Sequence, residues 1–253
     1  MQDIRRIHVG KAPIDVIGAE DAAHWVLCRL NNGIKTRVAA ANSAIIVATE
    51  SQTAFAETLK SFDLVLADGF WPALSASLLH QFHVPHTNTS PFLRALFRQS
   101  GNDGLKVFLL GARPEMVKNA AANLYLFHPN AKTVGYYNGY FDIEDEPGVV
   151  ELINKSGATV LLVGISSPKK ELFIIRNWDN LNLLLSIGVG GQFDIWGGGT
   201  REAPDWVRRY GFEWLFRLMQ EPQRLLKRYS VENMRFLFIV LKQLLNKVIN
   251  FVK

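Results

Sequence analysis

The chain is poor in cysteine and has neither a long uncharged apolar run nor an apolar segment near its N-terminus. Its one cysteine, Cys28, excludes an internal disulfide and fits a reducing compartment. No stretch of about 18 uncharged apolar residues is present, so we expect no transmembrane helix. The opening residues, MQDIRRIHVGKAPIDVIG, lack the apolar core of a signal peptide. These absences predict a cytoplasmic protein.

Several ligand-binding patterns are also missing. The sequence has no G-x-G-x-x-G fingerprint followed by an acidic residue, which argues against a nucleotide-dependent oxidoreductase. His83, His86 and His128 do not have zinc-ligand spacing. The acidic run NGYFDIEDE (138–146) allows a metal site, but acidic residues before a helix start explain it more simply. We therefore expect no metal, no cofactor and, without a recognised motif, no nucleic acid.

Short apolar runs alternate with helical patterns along residues 36–188. The predicted strands are 36–41, 63–68, 106–111, 132–137, 158–164 and 182–188. The predicted helices lie near 44–60, 70–81, 91–100, 114–127, 147–155 and 169–178. Strands that are apolar throughout are buried on both faces. The alternation therefore predicts an α/β fold, with a Rossmann-like, mostly parallel sheet that has helices on both faces.

Positive charge is concentrated in the C-terminal part of the chain. Residues 201–253 contain eleven Lys or Arg and five Asp or Glu, whereas residues 1–200 contain 17 and 18. The composition changes near Gly197–Thr200, which predicts an α/β domain over 1–196 and a basic helical appendage over 197–253. By its charge alone, such an appendage suggests a polyanionic partner: an anionic membrane, a phosphorylated substrate or nucleic acid, of which nucleic acid has no recognised motif here.

Candidate site residues follow the predicted strands, because ligands of such a sheet bind beyond the carboxyl ends of its strands. Asp68 follows one strand, where a carboxylate acts either as a general base or as the N-cap of the next helix. Glycine-rich turns there can bring backbone N–H groups to a phosphate, or can simply be turns. The glycines lie in LLGARPE (109–115) and IGVGGQFD (187–194), and they are Gly111, Gly188, Gly190 and Gly191. Together they suggest a nucleotide diphosphate.

Two lysines follow Pro168 at a predicted helix start. Lys169 and Lys170 would oppose the helix dipole there unless an anion lies nearby. The alternative is a solvated surface pair.

The stretch GFEWLFRLMQEPQRLLKRY (211–229) is rich in cations and aromatics. Pro222 predicts that two helices meet there. Arg224 and Arg228 are i,i+4 neighbours in the second helix, and Lys227 flanks them. The alternative is a solvated charged face, in which Arg217 pairs with nearby glutamates.

The tail, residues 231–253, is apolar and basic. Phe236, Ile239, Val240, Leu244, Val248 and Phe251 can share one helical face. Such a helix packs on its own domain, on a partner such as a second copy of the chain, or in a membrane interface. Its cations favour an anionic bilayer by roughly 1 kcal/mol each near the surface.

Several of these stretches, in the same order, resemble the WecG/TagA/CpsF family of bacterial glycosyltransferases. The matches are AAN (40–42), ADG (67–69), VFLLGARPE (107–115), NGYFD (138–142), VGISSPKKE (163–171), GVGGQFD (188–194) and EWLFRLMQEPQRLLKRY (213–229). The last match is the most specific. The resemblance implies an inverting, metal-independent enzyme that transfers a sugar from a UDP-sugar to a polyprenyl-diphosphate-linked saccharide at the cytoplasmic membrane face.

The resemblance also implies roles for particular residues. Asp68 matches the family's proposed base. Arg217, Arg224 and Lys227 match cations that fold over the site and stabilise negative charge on the UDP β-phosphate. The expected substrate contacts are Asn42, Gly69, Gly111, Lys170, Gly188, Gly190, Gly191, Asp194 and Arg228. The expected pathway is cell-surface polysaccharide synthesis, and the alternative is a non-catalytic nucleotide-binding scaffold on the membrane.

The chain departs from the family pattern in four places. Ala40 replaces a threonine, and Lys170 replaces a glutamine thought to contact substrate. The segment FHVPHTNTSPFL (82–93) has no clear match to a family arginine, and Arg201-Glu202-Ala203-Pro204 replaces Lys-Arg-Ala-Pro. These changes call the family's usual N-acetylmannosamine-type donor into question, so that both N-acetylmannosaminyl-type transfer and transfer of a different hexose stay open. They leave the predicted base and the cations unchanged.

Overall fold

The computed structural model describes residues 3–101 and 103–252. At positions 205, 209, 224–230, 248 and 250–252 it describes the backbone only. The strands are β1 (Arg6–Val9), β2 (Ala12–Asp15), β3 (Thr36–Ala41), β4 (Leu64–Ala67), β5 (Leu105–Gly111), β6 (Ala131–Tyr137), β7 (Val160–Gly164) and β8 (Leu185–Gly188).

Helices lie between most of these strands and follow β8 as far as Val252. They are α1 (Ala19–Asn31), α2 (Ser43–Ser51), α3 (Thr53–Lys60), α4 (Phe70–His80), α5 (Thr89–Gln99), α6 (Pro114–Phe127), α7 (Glu146–Lys155), α8 (Lys169–Asn177), α9 (Gln192–Trp196), α10 (Asp205–Arg209), α11 (Glu213–Gln220) and α12 (Pro222–Val252). The single helix predicted over 44–60 is in fact two helices, because Gln52 has extended backbone angles. The hydroxyl of Ser51 bonds to the carbonyl of Ala48, a local hydrogen bond that competes with helix continuation.

The central sheet has six strands in the order β4-β3-β8-β7-β5-β6, and every pair in it is parallel. Its side chains enter two separate apolar cores, one on each face. In β3, Val38 and Ala40 face the core formed with α1, α5, α6 and α9, whereas Ala39 and Ala41 face the other core. The predicted α/β class, with helices on both sides of a parallel sheet, is confirmed.

A small antiparallel hairpin, β1–β2, precedes the sheet and was not predicted. Each strand has four residues, and β2 contains a proline, so neither gives a clear strand pattern. Asp15 is buried, pairs with Arg6 at 2.7 Å and accepts the backbone N–H of Val65 at 2.6 Å. This carboxylate therefore fastens the hairpin to β4.

The long C-terminal helix α12 packs against α2 and α4. Phe236 and Val240 are buried in the core on that side of the sheet, and Leu244 packs against it. The side chain of Gln243 accepts the N–H of Gly10 in the hairpin turn at 2.8 Å. The apolar face that the sequence defines thus covers the protein's own domain along its described part, while Val248 and Phe251 lie outside the described side chains.

Candidate active site

The parallel sheet brings most of the predicted site residues to one edge. In the order of the strands, Asp68, Asn42, Gly188, Gly164 and Gly111 end or follow β4, β3, β8, β7 and β5. The strand order therefore places the β4 and β8 ends on either side of β3. This is the edge at which ligands of open α/β sheets bind.

Asp68 lies at the start of this edge and is partly exposed. Gly69, not Asp68, occupies the N-cap position of α4, so the predicted alternative of a cap for the next helix is wrong. One carboxylate oxygen, Oδ1, accepts the N–H of Thr89 at 3.3 Å. Gly69 has φ +107°, a backbone conformation that favours glycine, and this turn presents the preceding carboxylate at the sheet edge.

Asn42 caps the helix that follows β3. Its Oδ1 accepts the N–H of Ile45 at 3.1 Å. This bond gives Asn42 a structural role, and its contact with substrate stays a prediction.

Lys170 is buried beneath the end of β8. A Cβ atom added to Gly188 would lie 2.8 Å from its Cε. Its Nζ lies 2.6 Å from Oε1 of the buried Glu171 and also contacts the hydroxyl of Ser167. The predicted alternative of a solvated lysine pair is therefore wrong for Lys170 and fits only the exposed Lys169. The anion that offsets the charge of Lys170 is Glu171.

Two of the predicted glycines have contrasting surroundings. Gly111 has φ +141°, and a Cβ there would lie 2.4 Å from the backbone of Gly164 in the neighbouring strand. Close strand packing therefore requires glycine at 111, with or without a ligand. Gly190 is exposed, and a Cβ at this position would meet no atom within 4 Å. Its turn has room for a ligand.

The appendage reaches this edge through α11. A Cβ at Gly191 would lie 3.7 Å from Nη1 of Arg217 and 3.7 Å from Oδ2 of Asp194. Arg217 of the appendage therefore meets two predicted site residues of the turn after β8, Gly191 and Asp194. Arg217 also forms an ion pair with Glu213 at 3.2 Å, so the glutamate pairing considered from the sequence is present as well.

The other predicted cations, Arg224, Lys227 and Arg228, begin α12. Their side chains lie outside the described part of the structure. Their roles at the site stay predictions.

The sequence did not indicate Asn88, which is central to the site. It is 5% exposed, and its Oδ1 accepts the N–H of Gly69 at 2.7 Å and lies 2.8 Å from Nε2 of His86. Its Nδ2 donates to Oε2 of Glu213 at 2.7 Å. Burial lowers the pKa of His86. Only tertiary contacts distinguish this asparagine from other polar residues of the segment 82–93.

Glu202, one of the departures from the family pattern, anchors the appendage. Its carboxylate accepts the hydroxyl of Ser90 and pairs with both Arg94 and Arg208. A cavity of about 350 Å³ opens beside this cluster. Its lining includes His86, Asn88, Arg94, Arg98 and Arg208. A lysine or arginine at 202 would repel the two guanidinium groups, so the glutamate fits this local arrangement.

The acidic run 138–146 leads into α7, as the simpler interpretation of the sequence predicts. Asp142 and Asp145 form a reciprocal capping box around a short 3₁₀ turn, Ile143–Asp145, and Glu146 in the first turn of α7 is buried against Arg176 and Asn177. Among residues 3–101 and 103–252, no group of three or more His, Cys, Asp or Glu side chains is placed to hold a metal ion.

A model of the glycosyl transferase WecG/TagA/CpsF family matches residues 7–249, nearly the whole chain. The chain belongs to the WecG/TagA/CpsF family. It is therefore a glycosyltransferase, as the motifs predicted. It is 26% identical over 210 residues to the N-acetylglucosaminyldiphosphoundecaprenol N-acetyl-beta-D-mannosaminyltransferase of Bacillus subtilis (strain 168). The matched residues cover 83% of this chain and 80% of that protein. Within the described residues of this family member, no helix is long and apolar enough to cross a membrane.

Proposed function

We propose that this glycosyltransferase moves a hexose-type sugar from a UDP-sugar to a polyprenyl-diphosphate-linked saccharide, with inversion, on the inner face of the cell membrane. The product would enter a cell-surface polymer such as an exopolysaccharide, a teichoic acid or an enterobacterial-antigen-like polysaccharide. The name of the Bacillus subtilis relative, which acts on a diphosphoundecaprenol-linked sugar, supports this acceptor class. The main support is that three groups lie at one edge of the sheet: Asp68 with Gly69 after β4 (the Asp68 loop), the glycine turn after β8, and Arg217. The side chains of Asn88 and Glu213 connect the Asp68 loop to Arg217, which lies beside Gly191 of the glycine turn.

In this proposal Asp68 is the general base. Its carboxylate takes the proton of the acceptor hydroxyl as that oxygen attacks the anomeric carbon, and the bond from this carbon to UDP breaks on the opposite face. One displacement therefore inverts the centre. Negative charge develops on the β-phosphate, where Arg217, together with Arg224 and Lys227, would stabilise it.

The remaining predicted contacts hold the donor in place. Backbone N–H groups of the turn at Gly188, Gly190 and Gly191 would approach the diphosphate, with Arg228 nearby. Asn42, Asp194 and Lys170 would bind the nucleoside and the sugar. We propose roles for Gly69 and Gly111 mainly in shaping the strand ends against the substrate.

The exposed face of α12 supports docking on an anionic membrane. Its apolar side chains recur at helical spacing and are between 48% and 69% exposed; they are Met234, Phe238, Leu241, Leu245 and Ile249. Arg235 and Lys242 are exposed on the same helix. An apolar face flanked by cations is typical of helices that lie in the interface of an anionic bilayer. Such docking would bring the site to a lipid-linked acceptor.

The transfer reaction is tested by measuring UDP release from a panel of UDP-sugars, with and without polyprenyl-diphosphate-linked saccharides in mild detergent. We expect one donor to give acceptor-dependent release. Asp68→Asn should lower the rate by about 10²- to 10⁴-fold, because the acceptor hydroxyl loses its proton acceptor. The control is Asp179→Asn, an exposed carboxylate that precedes β8 and so lies at the opposite edge of the sheet.

Two results would contradict the proposal. One is release that does not depend on any lipid-linked acceptor. The other is an Asp68→Asn variant as active as Asp179→Asn, which would remove Asp68 as the base.

A further inference from the structure

The carboxylate of Glu213 joins two parts of the site that lie far apart in sequence. Its Oε2 accepts a hydrogen bond from Nδ2 of Asn88 at 2.7 Å, while its Oε1 lies 3.2 Å from Nη2 of Arg217. Each oxygen therefore has a different partner. The contact with Asn88 is a hydrogen bond to a carboxylate, which is stronger than a neutral one, and the contact with Arg217 is an ion pair.

The contact with Asn88 leads to the predicted base. Asn88 is nearly fully buried, and its other side-chain atom, Oδ1, accepts the N–H of Gly69 at 2.7 Å. Gly69 follows Asp68 directly, and the residue after Asn88, Thr89, donates its N–H to Asp68 Oδ1. Displacing Asn88 would therefore move the backbone on both sides of the Asp68 carboxylate.

The contact with Arg217 leads to the opposite side of the site. Nη1 of this guanidinium lies close to the Cβ position of Gly191, beside Asp194. Its Nη2 is the atom that pairs with Glu213. The ion pair therefore leaves one edge of the guanidinium directed toward the glycine turn that follows β8.

We propose that Glu213 is a positioning residue that holds the Asp68 loop and the Arg217 guanidinium in a fixed relative geometry. The proposal rests on the transfer reaction for the roles of Asp68 and Arg217. The new element is Glu213, the residue that would set the distance between Asp68 and Arg217. A glutamine at 213 could accept from Asn88 but would turn an amide N–H₂ toward the guanidinium, so it keeps one contact and loses the other.

The surroundings of Glu213 make this contact sensitive to pH. Burial raises the pKa of its carboxyl, and Asp68 adds to this, whereas Arg217 opposes it. The other groups that act on Glu213 are Arg208 of α10 and Glu202 in the segment before α10. Protonation of Glu213 as the pH falls would remove the charge that holds Arg217, so transfer should decline at a pH above the usual range for a carboxyl.

The first test is steady-state transfer by Glu213→Gln between pH 4 and pH 8. We expect kcat to fall by roughly 10- to 100-fold with little change in KM, because small misplacements of reacting groups have effects of this size. The acid decline caused by protonation of Glu213 should be absent from the variant, so its rate should fall less than that of the wild type at the acid end of this range. The matched control is Glu151→Gln, since Glu151 forms an exposed i,i+4 pair with Lys155 on α7. A Glu213→Gln variant with the kcat and pH profile of this control would overturn the inference.

The second test does not need activity. Hydrogen exchange of the free protein should be faster in Glu213→Ala than in Glu151→Gln for peptides that contain Gly69 and for peptides that contain Gly191. Unchanged exchange in both peptides would overturn the inference, whatever the transfer assay shows. If the wild type transfers no sugar but both peptides exchange faster in Glu213→Ala, the proposed reaction is contradicted and the positioning role of Glu213 is supported.

Discussion

At the residue scale, buried charged side chains depend on specific partners, some adjacent and some distant in sequence. Lys170 has a buried carboxylate beside it, and Asp15 binds both Arg6 and a backbone N–H of β4. Removing one partner of such a pair leaves an uncompensated buried group, which is far more damaging than loss of a surface pair. The adjacent Glu171 is visible in the sequence, whereas the contact of Asp15 with β4 is not.

His128 is a buried titratable group outside the proposed reaction. It is 4% exposed and ends α6, with its ring centre 4.9 Å from that of Phe97 and 5.3 Å from that of Trp196. Burial, aided by the charge of Arg94, lowers the pKa of His128 to about 4. The unfolded chain, with a histidine pKa of about 6.5, therefore binds a proton that the folded protein does not accept.

We predict that His128 makes the fold sensitive to acid. The contribution of neutral His128 to the free energy of unfolding is fully present above about pH 6.5. It is lost as the pH falls toward 4, by about 3 kcal/mol in total. Urea unfolding at several pH values should show a smaller acid loss in His128→Phe than in the wild type. The control is His24→Gln, which changes an exposed histidine on α1. Equal pH slopes for the wild type and His128→Phe would contradict the prediction.

At the scale of secondary-structure elements, α12 has two apolar faces with different roles. One face covers the core through Phe236, which is 6% exposed, whereas Phe238 on the other face is 69% exposed. The sequence pattern indicated an amphipathic helix and left its partner open. Two phenylalanines two positions apart point to different sides of a helix, so only the packing decides which one is structural.

These two phenylalanines give a matched pair of variants. We expect Phe236→Ala to lower the free energy of unfolding by about 3 to 5 kcal/mol, because it leaves a cavity in the core. Phe238→Ala should change it by about 0.5 kcal/mol or less, as is usual for exposed positions. Denaturant unfolding measures both. Equal losses would show that α12 is packed differently.

At the scale of the whole molecule, the C-terminal part contains both the excess of positive charge and an exposed apolar helix face. The excess of cations lies beyond residue 200, and the exposed apolar face of α12 lies in the same part. A surface with both features binds anionic bilayers through apolar burial and through electrostatic attraction. The division into residues 1–196 and 197–253 stays a proposal, since α12 is also packed on the α/β core.

We predict that the protein binds vesicles containing phosphatidylglycerol more tightly than vesicles of phosphatidylcholine alone, and less tightly as salt is added, since salt screens exposed charges. A Phe238→Ser, Leu241→Ser double variant should sediment less with the vesicles. Leu126→Ser, which changes an exposed leucine of α6, is the control. If the wild type self-associates in ultracentrifugation and the double variant does not, while vesicle binding is unchanged, the exposed apolar face of α12 is an interface between two copies of the chain.

The sequence by itself determined the alternation of strands and helices over residues 36–188, the family, and the edge of the sheet where Asp68 and the glycines lie. These features depend on local periodicity and on short motifs, which the backbone follows closely. Only the tertiary structure decided that Lys170 is buried beneath Gly188, that Phe236 and not Phe238 enters the core, and that Asn88 meets Glu213 across 125 positions. Such contacts depend on how distant segments pack, and a pattern along one chain does not contain that information.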